Sequence, residues 1–342
     1  MADRARSATE AAAALNLTAL VASDIGAHDL ARDMCWRQFS VLAEHTPLGA
    51  EHAALAMEPI INLARLATRQ DDGDRAHRLL DQALTAAHEP ARIAIDGRAV
   101  DFTTLAADAA GCHAMKEKLW IAFLSDGARA LTRAGRWAEA QQAAERRNGI
   151  GIRLLDGRQT AIIASLAAGK REDTEALLAD TEVIDPWERA LLTYLELCAS
   201  PASDLDIEAR YERLIDQITA LELPIEQQLF QIRLGVSALE VAASDHRDAA
   251  KLATTLAQTA LRTADAYAAR DLLASDAFRV AVDPATAAHL TTTMLRSGLE
   301  PGTDPSPPRT GNHDSDGPRL TGRLRAIMDD AVTSLARTLV LG

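Results

Sequence analysis

The chain has 342 residues, 48% of them hydrophobic, and carries 36 Lys and Arg against 49 Asp and Glu, a formal net charge of −13. That length suits two ordinary domains or one extended repeat array. An acidic surface repels phosphate backbones and disfavours nucleic-acid binding, and no run approaches the roughly 20 apolar residues of a membrane span.

Aromatic residues make up only 4% of the chain. Its apolar content is mainly Ala and Leu, which favour closely packed helices over sheets. Cys35, Cys112 and Cys198 are widely separated, with neither disulfide nor zinc-ligand spacing, and read as small buried hydrophobes in a reducing compartment. Arg4 and Arg6 precede the apolar run Ala11–Ala22 in loose imitation of a secretion signal. Asp3, Glu10, Asn16 and Thr18 spoil that pattern, and a cytoplasmic protein is expected.

Helical periodicity dominates in chain order. Leu15, Leu17, Leu20 and Val21 predict a first helix, and Leu30, Met34, Cys35, Phe39 and Leu42 a second. A third, from near Glu51, contains Pro59, which must kink it or mark its start. Asp71–Asp74 reads as a turn whose acids serve the N-terminus of the next helix. Ile93–Thr104 reads either as a small hairpin turning at Asp96–Gly97 or as plain loop. Ala114–Asn148 then combines a long two-sided helix, a turn at Gly135 and an alanine-rich helix.

The run Gly135–Arg136–Trp137–Ala138–Glu139–Ala140 resembles the Gly-x-Tyr-x-x-Ala core of tetratricopeptide repeats, with Trp137 in the aromatic slot. Weaker versions follow Gly73 and Gly169, and a fainter one spans Ser244–Ala250. The turn glycines Gly26, Gly73, Gly135 and Gly169 are unevenly spaced, and only the last interval matches the family period of about 34 residues. The resemblance implies an all-α, right-handed α-solenoid of stacked helical hairpins over residues 1–299, degenerate in its repeats, with the hairpin or loop near 93–104 as an insert in it. The Ala- and Arg-rich, Lys-poor style looks actinobacterial. Asp185–Pro186 predicts a helix start, and further helices are expected at about 186–199, 205–221, 225–242, 245–263, 265–276 and 284–297. Residues 300–318 read as a Pro- and Gly-rich linker. Residues 319–342 read as one amphipathic helix that either caps the array or joins a homodimer.

Motif chemistry is sparse. Gly149–Ile150–Gly151 lacks the third glycine, strand and Gly-Lys-Ser/Thr of a nucleotide loop. The histidines lack paired metal-ligand spacing, and no cofactor is expected. In tetratricopeptide-like proteins, Asn and Lys or Arg on inner helices hold a peptide's carboxylates. The resemblance therefore implies a binding face from Asn62, Arg65, Lys116, Trp120, Arg129, Arg146, Arg147 and Arg158, with a protein, peptide or small acidic ligand as partner. Arginine suits that task through its bidentate fork. The competing reading pairs these arginines with local acids such as Glu145 and Asp156. An alternative function is a helical enzyme, with His113, Lys116, Asp126, Arg146, Arg147 and Asp156 converging on a pocket near residues 113–158.

Overall fold

The computed structural model describes residues 7–201, 205–241, 248–297, 299 and 317–341. Arg4 and Arg6, most of the expected linker, and residues 244–247 of the faint repeat lie outside them. The chain is mostly helical and divides into two compact units, Met1–Gly149 with Asp304–Gly342, and Ile150–Thr303.

Unit 1 begins with α1 (Ala8–Asp24), α2 (His28–Ala43), α3 (Ala50–Arg69) and α4 (Gly73–His88). Ser7 caps α1 by accepting the Glu10 N–H at 3.2 Å, and Asp72 caps α4 by accepting the Arg75 N–H at 3.0 Å. Both satisfy amides that a helix start leaves unpaired. α3 continues on both sides of Pro59, so the proline does not mark its start. α1 packs on α2 and α3, and α3 in turn on α2 and α4. Ala-rich contact faces (Ala11, Ala12, Ala53, Ala56, Ala64 and Ala83, all buried) let these helices approach closely.

The hairpin is present, as β1 (Arg92–Ile95) and β2 (Arg98–Asp101), paired antiparallel with Ile95 opposite Arg98. Asp96 and Gly97 both take positive φ, +50° and +81°, the primed turn that matches strand twist. A lone hairpin is marginal. This one buries Ile95, Val100 and Phe102, and its tip is clamped by Arg32 of α2 and Arg75 of α4, both bonded to Asp96. Burial raises the Asp96 carboxyl, but the two guanidiniums outweigh it and hold the group below the ordinary carboxylate range.

The long helix expected after His113 is interrupted. α5 (Ala109–Ala122) widens into a π turn, Phe123–Gly127, before α6 (Ala128–Arg133), and α7 (Trp137–Arg146) follows the Gly135 turn. α5 packs on α3 and α4.

Unit 2 comprises α8 (Asp156–Ala167), α9 (Arg171–Ala179), α10 (Pro186–Ala199), α11 (Ile207–Thr219), α12 (Gln228–Val241), α13 (Ala249–Thr263), α14 (Ala266–Ala274), α15 (Asp276–Ala281) and α16 (Pro284–Arg296). The Asp185–Pro186 start is a capping box. Glu188, 0% exposed, accepts the N–H groups of Ile184 and Asp185 and the Arg153 Nε–H at 2.5, 2.8 and 2.6 Å. The main core gathers Leu214, Ile218, Ile232, Leu256 and Phe278.

α17 (Gly317–Leu341) returns to unit 1 and packs on α1 and α2. Leu324, Met328, Leu335 and Leu339 are buried, and Asp329 accepts from Arg37 at 2.9 Å. Of the apolar stripe expected to cap the fold or join a dimer, these four residues are covered within the chain, while Ile327 is 42% exposed. No helix of the described residues is long and apolar enough to cross a membrane.

Candidate functional site

On α3, Asn62 and Arg65 stand one turn apart, the i, i+3 spacing that puts side chains on one face. α3 has α1 on one flank and α5 on another, so this face meets Asn16 and the π turn. Asn62 is 1% exposed, donates to Asn16 Oδ1 at 2.8 Å and accepts from Arg65 Nη1 at 3.2 Å. Arg65 also donates through Nε and Nη2 to Asp126 Oδ2 at 2.9 and 2.8 Å. Asp126 belongs to the π turn, a helix irregularity that recurs at functional sites. Its other oxygen lies 3.6 Å from Arg129 Nη1.

One carboxylate thus faces two guanidiniums. The Asp126 side chain is 8% exposed, against 40% for Arg65 and 69% for Arg129. The acid is inside and the cations are outside, leaving one surplus positive charge; Arg65 spends all three guanidinium nitrogens on Asp126 and Asn62, and the fork of Arg129 is the less committed one. Neighbouring ties between the same helices are neutral: Lys118 pairs with Glu58, and Arg69 pairs with Asp24 at 2.9 Å while donating to the Leu20 carbonyl at 3.1 Å.

The other expected residues are placed differently. Arg147 is committed to structure. Its guanidinium donates to Asp81 at 2.6 Å and Thr85 at 2.8 Å and lies over the Phe123 ring, and its carbonyl accepts the Trp120 indole N–H at 2.9 Å. Trp120 and Arg147 therefore join α7 to α4 and α5 rather than offering donors to a ligand. Lys116, two residues or about 200° from Lys118 on α5, projects to that other side. Arg146 is exposed at the end of α7. Arg158 lies in unit 2, 6% exposed, donating to the Leu177 carbonyl at 2.8 Å and Thr181 Oγ1 at 3.0 Å. A buried arginine that caps a helix end is not a ligand contact. Arg153, five residues before Arg158, is bound by Glu188 and Asp185.

Of the six residues of the enzyme alternative, five lie in unit 1 and Asp156 lies in unit 2. His113 is 79% exposed and lies 4.0 Å from Glu117 on its own helix, Asp126 is bound by Arg65, and Asp156 opens α8 in unit 2. The acids Asp71 and Asp74 pair with Arg133 and Arg136. Among the described residues no group of three His, Cys, Asp or Glu is arranged to hold a metal ion. Unit 2 has an open cleft of about 230 Å³ lined by Ile184, Pro186, Arg189, Gln217, Ala220 and Leu221. That is below the roughly 300–1,000 Å³ of ordinary ligand sites. Asn16 was missed in the sequence because its only signal is a partner 46 residues away. Comparison with family models, curated proteins and solved structures finds no match for this chain.

Proposed function

We propose that the protein is a non-enzymatic interaction module, a degenerate tetratricopeptide-like solenoid whose open α1–α3–α5 face binds an anionic group on a peptide or protein partner. The observation that carries this reading is the Arg65–Asp126–Arg129 triad, a buried carboxylate beneath two exposed guanidiniums in a chain of net charge −13. Arginine's planar fork still has donors free to take a carboxylate, at roughly twice the strength of a neutral hydrogen bond. The π turn supports the reading because it brings Asp126 under Arg65. Three unpaired cysteines suit a reducing, cytoplasmic setting.

The test is fluorescence polarisation with a labelled hexaglutamate peptide. Arg129→Glu is expected to weaken binding about tenfold or more, in line with about 1.4 kcal/mol per decade, while Arg146→Ala leaves it unchanged. Equal affinity of wild type and Arg129→Glu would remove the triad as the binding site.

A further inference from the structure

In unit 2, α10 and α11 pack together, and the open cleft of about 230 Å³ lies where the start of one meets the end of the other. Pro186 and Arg189 stand at i and i+3 on α10. Gln217, Ala220 and Leu221 stand at i, i+3 and i+4 around the end of α11. Both spacings put side chains on one helix face, and both sets line the cleft together with Ile184, which precedes α10. Leu221 is 7% exposed and Ile184 65%, a buried apolar floor and an exposed apolar rim.

The polar lining consists of one guanidinium and one amide. Arg189 is exposed, and among the described residues its guanidinium has no hydrogen-bond or ion-pair partner. Asp185, one turn before it, is taken by Arg153 at 2.7 Å, and Glu188 by Arg153 and two backbone N–H groups. Gln217 keeps both ends of its amide unspent: Oε1 is buried without a partner, and Nε2 bonds nothing among the described residues. Native folds leave few such groups unsatisfied, so a free guanidinium and an unspent amide at one apolar cleft point to a ligand that enters it.

We propose that this cleft binds a small monocarboxylate with an apolar body, its carboxylate on the Arg189 fork and the Gln217 amide and its hydrocarbon on Leu221, Pro186 and Ile184. Charge and size commit the occupant. Arg189 supplies one positive charge, which a single carboxylate neutralises and a phosphate dianion exceeds, and its planar fork matches the two carboxylate oxygens. No acid lines the cleft among the described residues, so a free amino acid brings an ammonium that finds no partner there. At about 30 Å³ per water, the cleft holds roughly eight water-sized groups, which suits a short branched acid and is too little for a long-chain fatty acid or a nucleotide. The site stands apart from the Arg65–Asp126–Arg129 triad, which belongs to unit 1, and does not rest on it.

The experiment titrates 4-methylpentanoate into the full-length protein by isothermal titration calorimetry, beside its neutral amide 4-methylpentanamide, free leucine, inorganic phosphate and a hexapeptide ending in leucine. The acid is expected to bind saturably with a Kd of about 1 mM or tighter, and the amide, leucine and phosphate about tenfold or more weaker. Arg189→Gln weakens the acid about tenfold or more, Ala220→Trp fills the cleft from an exposed position and abolishes binding, and Arg129→Glu changes nothing. The acid-to-amide ratio is read on the unaltered protein, so it holds whether or not either cleft variant folds. Equal binding of acid and amide, equal binding of phosphate or leucine, or a Kd unchanged by Arg189→Gln overturns the proposal, as does no saturable binding of the acid. A leucine-ended peptide that binds about tenfold tighter than the acid assigns the cleft to a chain terminus and also overturns it. Loss of acid binding in Arg129→Glu places the acid on the triad, which defeats this site and leaves the anion-binding reading standing.

Discussion

Asp126→Asn separates a ligand-binding triad from a merely structural one, because the two roles move opposite observables. The amide keeps an oxygen in place for Arg65, so the change removes charge assistance rather than the bond, and charged hydrogen bonds exceed neutral ones by about 1 kcal/mol. Stranding a buried charge costs about 3–5 kcal/mol, but Arg65 is 40% exposed and rehydrates, so the stability loss is expected at about 1–2 kcal/mol. Affinity for an anion should rise. The Asp126 charge sits about 6 Å from a carboxylate held on the outer side of the guanidiniums, and removing it lifts a repulsion of about 0.7–1.4 kcal/mol at an effective dielectric of about 40–80. That is about 3- to 10-fold tighter binding of hexaglutamate. Stability is read by intrinsic fluorescence in a Trp187→Phe background, since Trp36, Trp120 and Trp137 all belong to unit 1. A less stable protein that binds hexaglutamate no better than wild type refutes the assignment of the guanidiniums to a ligand.

Three further substitutions and a pH series test the fold. A Cβ on Gly73 meets the Ala130 carbonyl oxygen at 2.4 Å, whereas one on Gly135 meets nothing but sits at φ +73°. Gly73→Ala is therefore expected to cost about 2–3 kcal/mol by forcing backbones apart and Gly135→Ala about 1 kcal/mol, and a reversed order in urea melts contradicts the close α4–α6 approach. Burial raises the Glu188 carboxyl, but the N–H groups of Asp185 and Ile184 and the Arg153 guanidinium more than offset it, so its folded pKa lies below the ordinary 4.5. A depressed carboxyl contributes stability that is complete above its unfolded value and lost as pH falls through the folded one. Unit 2 should therefore soften below about pH 4.5, and Glu188→Gln should lower neutral stability by about 1–3 kcal/mol and flatten that acid slope; an unchanged slope by circular dichroism contradicts it.

The fold's local features were readable from the sequence because their causes are local. Asp96–Gly97 specifies a primed turn with two residues, and Asp185–Pro186 followed by Glu188 specifies a helix start with four. The arginines were not readable, because each takes its partner through tertiary packing: Arg147 reaches Asp81, 66 residues back, and Arg65 reaches Asp126, 61 residues on. Arg146, Arg147, Arg153 and Arg158 are close in sequence, and the boundary between the two units falls among them at Gly149–Ile150. It sends Arg146 and Arg147 to one unit and Arg153 and Arg158 to the other. The π turn left only a weak mark, since Ser125–Asp126–Gly127 are poor helix formers but no proline breaks the run and Ala122 and Ala128 flank it.

Unit 1 holds a second carboxylate shared by two arginines, and comparing the pair shows why only one is offered as a site. At Asp96, Arg32 and Arg75 bind opposite oxygens, and Arg32 also donates to the Asp96 carbonyl at 2.9 Å. Both guanidiniums are thus drawn onto the hairpin tip, and the surplus charge is spread over groups already fixed by α2, α4 and the turn. At Asp126 the second arginine is 3.6 Å away and 69% exposed, with its fork free to turn toward a partner. Charge count alone does not distinguish the two triads; the uncommitted donors of Arg129 do. Asp96→Asn should therefore loosen the hairpin without the gain in hexaglutamate affinity expected of Asp126→Asn. An equal gain in both would mean that net charge, rather than the geometry around the π turn, governs what this face attracts.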